Sequence, residues 1–132
     1  MGLTLDDITG NYAPDEGAEF EVRGASGEVI RDEEGKAAVI RVAGVDSTVY
    51  RETRAVLAQR RDRYLQDRRA KKLTPDEEDE QAIEMAARCT LSWENLDVPF
   101  SLDKARELYR AAPWIRDDAI IRIHQREACL RE

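Results

Sequence analysis

Residues 36–47 have the sequence KAAVIRVAGVDS, and this stretch contains the change from strand to helix that decides the fold. Positions 37–42 are mostly apolar and rich in β-branched residues, a composition that favours an extended strand. Gly44 ends the strand, and the side chains of Asp46 and Ser47 can cap the free N–H groups at the start of a helix. The stretch therefore predicts a chain with strands before it and helices after it.

Upstream of this strand, the sequence predicts two further short strands. Residues 19–23 alternate apolar and charged side chains, and residues 28–31 form a second short candidate. Turns should separate these strands. The first is expected at residues 24–27, which include two glycines and a serine, and the second at the mainly acidic residues 32–35. We therefore expect a small three-stranded antiparallel β-meander over residues 18–44.

Downstream, residues 46–132 are predicted to form three to four helices. The clearest start signal is Thr74, whose hydroxyl can accept from the amide of Glu77 while that carboxylate reaches back, with Pro75 at the first helical position. The predicted helices span residues 48 to about 72, 75 to about 94, 101 to 112 and 114 to about 130. The fold class is therefore α+β, with one domain over residues 18–132.

Charge is distributed unevenly along the 132 residues, whose net charge is −7. Residues 1–35 carry ten acidic and two basic side chains, whereas residues 51–72 carry nine basic and three acidic ones. We expect residues 1–17 to form a mobile acidic arm, because Gly10, Pro14 and Gly17 interrupt any regular structure there. The basic helix is thus predicted to lie between acidic neighbours.

The residue types that carry out chemistry are not arranged in any recognisable catalytic or metal-binding motif. His124 is the single histidine, and a helix would give it the apolar neighbours Ile120 and Ala128, which favours a structural role. Cys89 and Cys129 lie forty residues apart without a CxxC spacing, and no glycine motif for phosphate binding is present. We expect no enzymatic activity, no cofactor and no bound metal.

Targeting signals are equally absent from the sequence. The first seven residues are acidic rather than basic, and no apolar run approaches the length of a membrane span. The expected location is the cytoplasm, with no membrane partner.

The basic helix has more than one possible use. Self-assembly would follow if this helix met the acidic arm or sheet of another copy, and four of its side chains are candidates: Arg54, Arg60, Arg61 and Arg68. Binding of nucleic acid is the alternative, since basic side chains alone can neutralise phosphates. The acidic chain and the scarcity of aromatic side chains in this stretch favour a solvated or protein-facing surface.

Four aromatic residues follow the basic helix, namely Trp93, Phe100, Tyr109 and Trp114. Most should belong to the core, since the chain has only eight aromatic residues. The two tryptophans at predicted helix ends also suit exposed contacts for a protein partner, because tryptophan is enriched among residues that dominate binding energy.

Several of these segments together resemble the tail assembly chaperones of long-tailed bacteriophages. The matching features are VAGVDS at 42–47 before an Arg-rich helix, WENL at 93–96, VPFS at 98–101 and a short Ala-rich helix ended by Pro113-Trp114-Ile115. The resemblance covers roughly residues 28–130. The acidic stretch before it lies outside the resemblance.

The resemblance implies a protein that binds the long tape-measure protein, keeps it soluble and helps recruit tail-tube subunits before leaving the finished tail. The expected contact residues are Trp93, Leu96, Phe100 and Trp114, and the protein is expected to be a homo-oligomer absent from mature particles. Two other functions remain open: a structural tail or head-completion subunit of the virion, and a nucleic-acid-binding regulator that uses residues 51–72. The three differ in what they bind and in whether the chain stays in the virion.

Overall fold

The computed structural model describes residues 1–131 and has an α+β fold, as the sequence predicts. The strands are β1 (Ala18–Glu21), β2 (Val39–Val42) and β3 (Thr90–Glu94). The helices are α1 (Leu5–Thr9), α2 (Thr48–Arg68), α3 (Pro75–Cys89), α4 (Leu102–Ala111) and α5 (Pro113–Ile123), followed by a 3₁₀ turn at Arg126–Cys129.

The three strands form one antiparallel sheet in the order β1-β2-β3. Phe20 pairs with Ile40 across the first interface, and Ile40 pairs with Trp93 across the second. β2 is thus the central strand, and its side chains Ile40 and Val42 are fully buried. The strand predicted at residues 36–42 is confirmed over residues 39–42. The predicted meander would place it at an edge, whereas it lies at the centre of the sheet.

The predicted β-meander is wrong in its middle strand. Residues 28–31 make only isolated bridges to neighbouring residues, at Val29 and at Arg31. Ile30 is exposed, so this segment has no buried face that would hold it in the sheet. The second edge of β2 is instead occupied by β3, which comes from a distant part of the sequence.

The helix predicted to run to residues 93–95 ends at Cys89, where the chain changes directly into β3. The hydroxyl of Thr90 donates to the carbonyl oxygen of Ala86 at 2.7 Å and shares a second hydrogen bond of 2.7 Å with the hydroxyl of Tyr109. A β-branched residue fixed in this way favours the extended backbone that starts the strand.

The other helix starts agree with the capping residues. Ser47 caps α2, Ser101 caps α4, and Thr74 and Glu77 form the predicted capping box on α3. The last predicted helix is shorter than expected: α5 ends at Ile123 rather than near residue 130, and the chain continues as a 3₁₀ turn.

The core lies between one face of the sheet and helices α3, α4 and α5. Small side chains let these helices approach closely, and Ala86, Ala87, Ala105 and Ala119 are all fully buried. Tyr109 is the largest side chain that is completely enclosed. α2 packs on α3, and a hydrogen bond from the Gln81 amide to the carbonyl oxygen of Leu57 (2.8 Å) joins the two helices.

The segment predicted as a mobile arm consists of two different parts. Residues 1–11 are exposed and include α1. Ala13, in contrast, is buried, and its amide donates to the carbonyl oxygen of Cys129 at 2.9 Å. Residues 12–17 therefore pack against the C-terminal end of the chain.

Candidate protein-binding surface

Trp93 and Phe100 form an aromatic pair beside the outer edge of the sheet. Their ring centroids lie 5.1 Å apart with the planes at 89°, an edge-to-face arrangement. The indole N–H of Trp93 donates to the carbonyl oxygen of Val98 at 2.9 Å, which fixes the loop between β3 and α4 against the ring. Both side chains are half-buried, so each packs on the core and keeps an accessible surface.

A groove of about 290 Å³ opens next to this pair and is called here the Trp93 groove. Its apolar walls include Trp93, Leu96, Leu108 and Ala111. Its polar rim consists of Asp97, Lys104 and Glu107. An apolar centre with a charged rim is the usual composition of a surface that binds another protein.

A second groove, the Val56 groove, is lined by residues of α2 and by Phe100 and has a volume of about 510 Å³. Its apolar lining residues include Val49 and Val56 of α2 together with Phe100 and Leu102, and the charged side chains of Glu52 and Arg88 also line it. Phe100 lines this second groove and packs on Trp93, which lines the first one. Leu102 is one of the exposed large hydrophobic side chains.

The structure brings three of the four predicted contact residues together and places the fourth elsewhere. Trp93 packs on Phe100 and lines the same groove as Leu96. Trp114 begins α5, and its indole N–H donates to the carbonyl oxygen of Arg23 at 2.9 Å, just beyond β1. Because β1 and β3 are opposite edges of the sheet, Trp114 does not extend the surface around Trp93.

The four arginines predicted for self-assembly divide into two pairs. Arg60 and Arg68 face α3: Arg60 lies 3.9 Å from the carboxylate of Glu84, and Arg68 donates to Glu77. Arg54 and Arg61 are exposed and form no ion pair within residues 1–131. Only this second pair is available to a partner without breaking contacts inside the chain.

Glu84 on α3 is the centre of an ion-pair cluster that the sequence analysis missed. Its carboxylate accepts hydrogen bonds from Arg106 at 2.7 and 2.9 Å and from Arg88 at 2.6 Å. These hydrogen bonds, those from Arg106 above all, lower the pKa of Glu84 to about 2. The sequence could have indicated the ion pair between Glu84 and Arg88, because these residues lie four apart on one helix. It could not have indicated Arg106, which comes from another helix.

A second cluster joins both ends of the chain to the start of α2. Arg126 donates to the two carboxylate oxygens of Asp46 at 2.7 and 3.2 Å, and the hydroxyl of Tyr12 donates to the same carboxylate. The hydrogen bonds from Arg126 and Tyr12 lower the pKa of Asp46 to about 2. Burial and the neighbouring carboxylate raise the pKa of Tyr12 to about 12.

His124 lies at the end of α5. Its Nδ1 atom is 2.9 Å from the carbonyl oxygen of Ile120, and its Nε2 atom is 3.4 Å from the hydroxyl of Tyr50. The two rings also pack edge to face with centroids 5.7 Å apart. Each ring nitrogen of His124 thus lies within hydrogen-bonding distance of another residue of the same chain.

Residues 1–131 contain no group of three or more histidine, cysteine or acidic side chains placed to hold a metal ion. None of the helices in this range combines the length and the apolar composition needed to cross a lipid bilayer.

Similarity to known proteins does not assign this chain to a family. Comparison with protein families, characterised proteins and solved structures finds no match to this chain.

Proposed function

We propose that this chain is a non-enzymatic tail assembly chaperone of a long-tailed bacteriophage. In this role it binds the tape-measure protein in the host cytoplasm, keeps it soluble and helps recruit tail-tube subunits around it. The observation that carries the proposal is the Trp93 groove, whose lining includes Trp93, Leu96 and Val98 from the segments 93–96 and 98–101 on which the sequence resemblance rests.

The physical demands of such a role support the proposal. A long, aggregation-prone client needs an apolar surface to cover its own apolar side chains and a charged exterior to keep the complex in solution. The Trp93 groove has an aromatic wall and a charged rim, and 37% of the residues of the chain are charged. Trp93, Leu96 and Phe100 are therefore the proposed client-binding residues.

Co-expression with the tape-measure protein of the same phage tests this function. We expect the tape-measure protein to become soluble and to co-purify with several copies of the chain. Mature particles from the same phage should lack the chain. A tape-measure protein that stays insoluble beside a soluble chain contradicts the chaperone function, and a chain retained in purified virions would favour the structural-subunit alternative.

The exposed arginines of α2 favour a second candidate function, a nucleic-acid-binding regulator. Arg54 and Arg61 have no internal ion-pair partner among the described residues, so they are free to meet phosphates. The net charge of −7 opposes this use, because a polyanion would be repelled by most of the chain.

A further inference from the structure

The Trp93 groove has an excess of acidic charge. Its lining includes two acidic side chains, Asp97 and Glu107, and one basic side chain, Lys104. Lys104 and Glu107 neutralise each other, because their side chains form an ion pair at 3.1 Å. Asp97 is exposed and forms no ion pair within residues 1–131. The carboxylate of Asp97 is therefore the charge of the groove lining that no other part of the described chain balances.

The apolar part of the groove is accessible from solvent. Leu96, Val98 and Leu108 are half-buried, and Ala111 is exposed. The volume of about 290 Å³ is large enough to receive a large apolar side chain of another molecule. Because Asp97 lines the same groove, a segment that fills it places its neighbouring residues beside this carboxylate.

Charge complementarity decides which apolar segment fits this groove. A lysine or arginine next to the inserted side chain would pair with Asp97, whereas a glutamate or aspartate there would be repelled. The net charge of −7 acts in the same direction, since an acidic protein attracts basic segments over longer distances. The groove therefore favours an apolar segment with basic neighbours.

A second copy of the chain is disfavoured as the occupant, because its most exposed apolar segment is acidic. Leu5 and Ile8 of α1 are 80% and 68% exposed, but Asp6 and Asp7 lie between them on the same short helix. Residues 1–11 contain no lysine or arginine. Binding of α1 in the groove would thus place acidic side chains beside Asp97.

We propose that the Trp93 groove binds a client segment in which large apolar side chains stand next to lysine or arginine. An inserted apolar side chain packs against Trp93 and Leu96, and the neighbouring cation pairs with Asp97. This inference rests on the proposed function, which makes the groove the client site, and it specifies the chemistry of the bound segment. Segments with acidic residues at the same positions are rejected.

Three matched synthetic peptides test this preference. They share the same leucine positions and carry lysine, glutamine or glutamate at the neighbouring positions. Fluorescence anisotropy measures the affinity of each peptide for the full-length chain. At low salt we expect the lysine peptide to bind at least about tenfold more tightly than the glutamate peptide. The difference should shrink as the salt concentration rises, because exposed charges are screened.

Variants of the chain assign the preference to Asp97. Asp97→Asn should weaken binding of the lysine peptide about fivefold and leave that of the glutamine peptide unchanged. The matched control is Asp62→Asn, which removes an exposed carboxylate on α2 and changes the net charge by the same amount. Asp97→Lys should reverse the preference toward the glutamate peptide. Leu96→Ala should weaken binding of both the lysine and the glutamine peptide about tenfold, since it removes part of the apolar wall.

The two tryptophans show where the peptide binds. The indole N–H of Trp93 donates to Val98 beside the groove, whereas that of Trp114 donates to Arg23 at the opposite edge of the sheet. In an NMR titration with the lysine peptide, the indole signal of Trp93 should shift and that of Trp114 should stay in place. Trp114→Phe assigns the two signals.

Several results would overturn the inference. These are no binding of any peptide, equal affinity for the lysine and glutamate peptides, equal effects of Asp97→Asn and Asp62→Asn, and a shift of the Trp114 signal alone. Self-association that Leu96→Ala abolishes in sedimentation would show that a second copy occupies the groove, and it would also reject the inference.

Co-expression with the tape-measure protein judges the proposed function separately. A tape-measure protein that becomes soluble, beside peptides that show no charge preference, would leave the chaperone function standing and reject this inference. An insoluble tape-measure protein beside a clear preference for the lysine peptide would reject the chaperone function and leave the chemistry of the groove as inferred.

Discussion

The carboxylate of Glu84 on α3 is clamped by the guanidinium of Arg106 on α4, with two hydrogen bonds of 2.7 and 2.9 Å. Arg88 and Arg60 approach the same carboxylate from α3 and α2. One acidic side chain thus connects three helices, including the helix whose N-terminal half forms a wall of the Val56 groove.

Removing the charge of Glu84 should destabilise the protein. Glu84→Gln leaves three arginines near one another without their common anion, and we expect the free energy of unfolding to fall by about 2 kcal/mol. Urea unfolding measures the change. Glu78→Gln is the matched control, because Glu78 lies exposed on the same helix and should change the free energy by less than about 0.5 kcal/mol. Equal effects of both variants would contradict the assigned role of Glu84.

Stability should decrease in acid because Glu84 and Asp46 both have a pKa of about 2 in the folded protein. Their ordinary values are 4.5 and 3.8, so the unfolded chain binds protons first as the pH falls. The stabilisation is complete above about pH 5 and is lost between about pH 4.5 and pH 2. Thermal unfolding from pH 7 to pH 2.5 tests this, and Glu84→Gln should show a smaller acid loss. Parallel pH curves for the two proteins would contradict the contribution of Glu84.

Thr90 and Tyr109 share a hydrogen bond, and removing the hydroxyl of Thr90 should lower the free energy of unfolding more than removing the hydroxyl of Tyr109. Thr90→Val leaves the enclosed Tyr109 hydroxyl without a partner and should cost about 2 kcal/mol of unfolding free energy. Tyr109→Phe should cost only about 1 kcal/mol, because Thr90 keeps its bond to Ala86. Adding Tyr109→Phe to Thr90→Val should restore part of the loss. Strictly additive losses in this double-mutant cycle would rule out the coupling.

Client binding should depend on the Trp93 groove and be independent of Trp114. Leu96→Asp should reduce co-purification of the tape-measure protein at least about tenfold, since it places a charge in the apolar wall. Trp114→Ala should have little effect, because its side chain lies at the opposite edge of the sheet. Circular dichroism confirms that each variant is folded. A loss of client with Trp114→Ala and none with Leu96→Asp would move the binding surface to α5.

Nucleic acid should not bind to this chain. Fluorescence anisotropy with short duplex and single-stranded DNA at low salt should show no binding at micromolar protein, because the acidic segments repel the phosphates. The triple variant Arg60→Glu/Arg61→Glu/Arg63→Glu is the informative comparison. Binding by the wild type that this variant abolishes would establish the nucleic-acid function instead.

The starts of α2, α3 and α4 and the strand β2 were predictable because their causes are local. The helix α1 was missed, since its residues were predicted as part of a mobile arm. The Thr74 hydroxyl and the Glu77 carboxylate satisfy backbone groups only three residues away, so the sequence itself contains both partners. The same holds for Ser47, which caps α2, and for the β-branched residues 39–42. The α+β class follows from these local signals.

Part of the candidate surface was predictable for a similar reason. Trp93, Leu96 and Phe100 lie within eight residues, so a short loop brings them together. Trp114 follows soon after in sequence, but α4 intervenes and carries the chain to the other edge of the sheet. Proximity in sequence therefore predicted correctly which residues lie together within the loop, but it failed for Trp114, which follows α4.

What the sequence alone determined about this protein is its class, the starts of α2, α3 and α4 and the presence of the strand β2, because short-range hydrogen bonds and side-chain preferences suffice for them. Only the tertiary structure decided which segment completes the sheet, which arginines surround Glu84 and where Trp114 lies. Residues 28–31 were predicted as a strand and residues 90–94 as the end of a helix, and which of them joins the sheet depends on which one buries side chains against the helices. The free energy gained by this burial comes from contacts between residues far apart in sequence, and no local sequence pattern predicts such contacts.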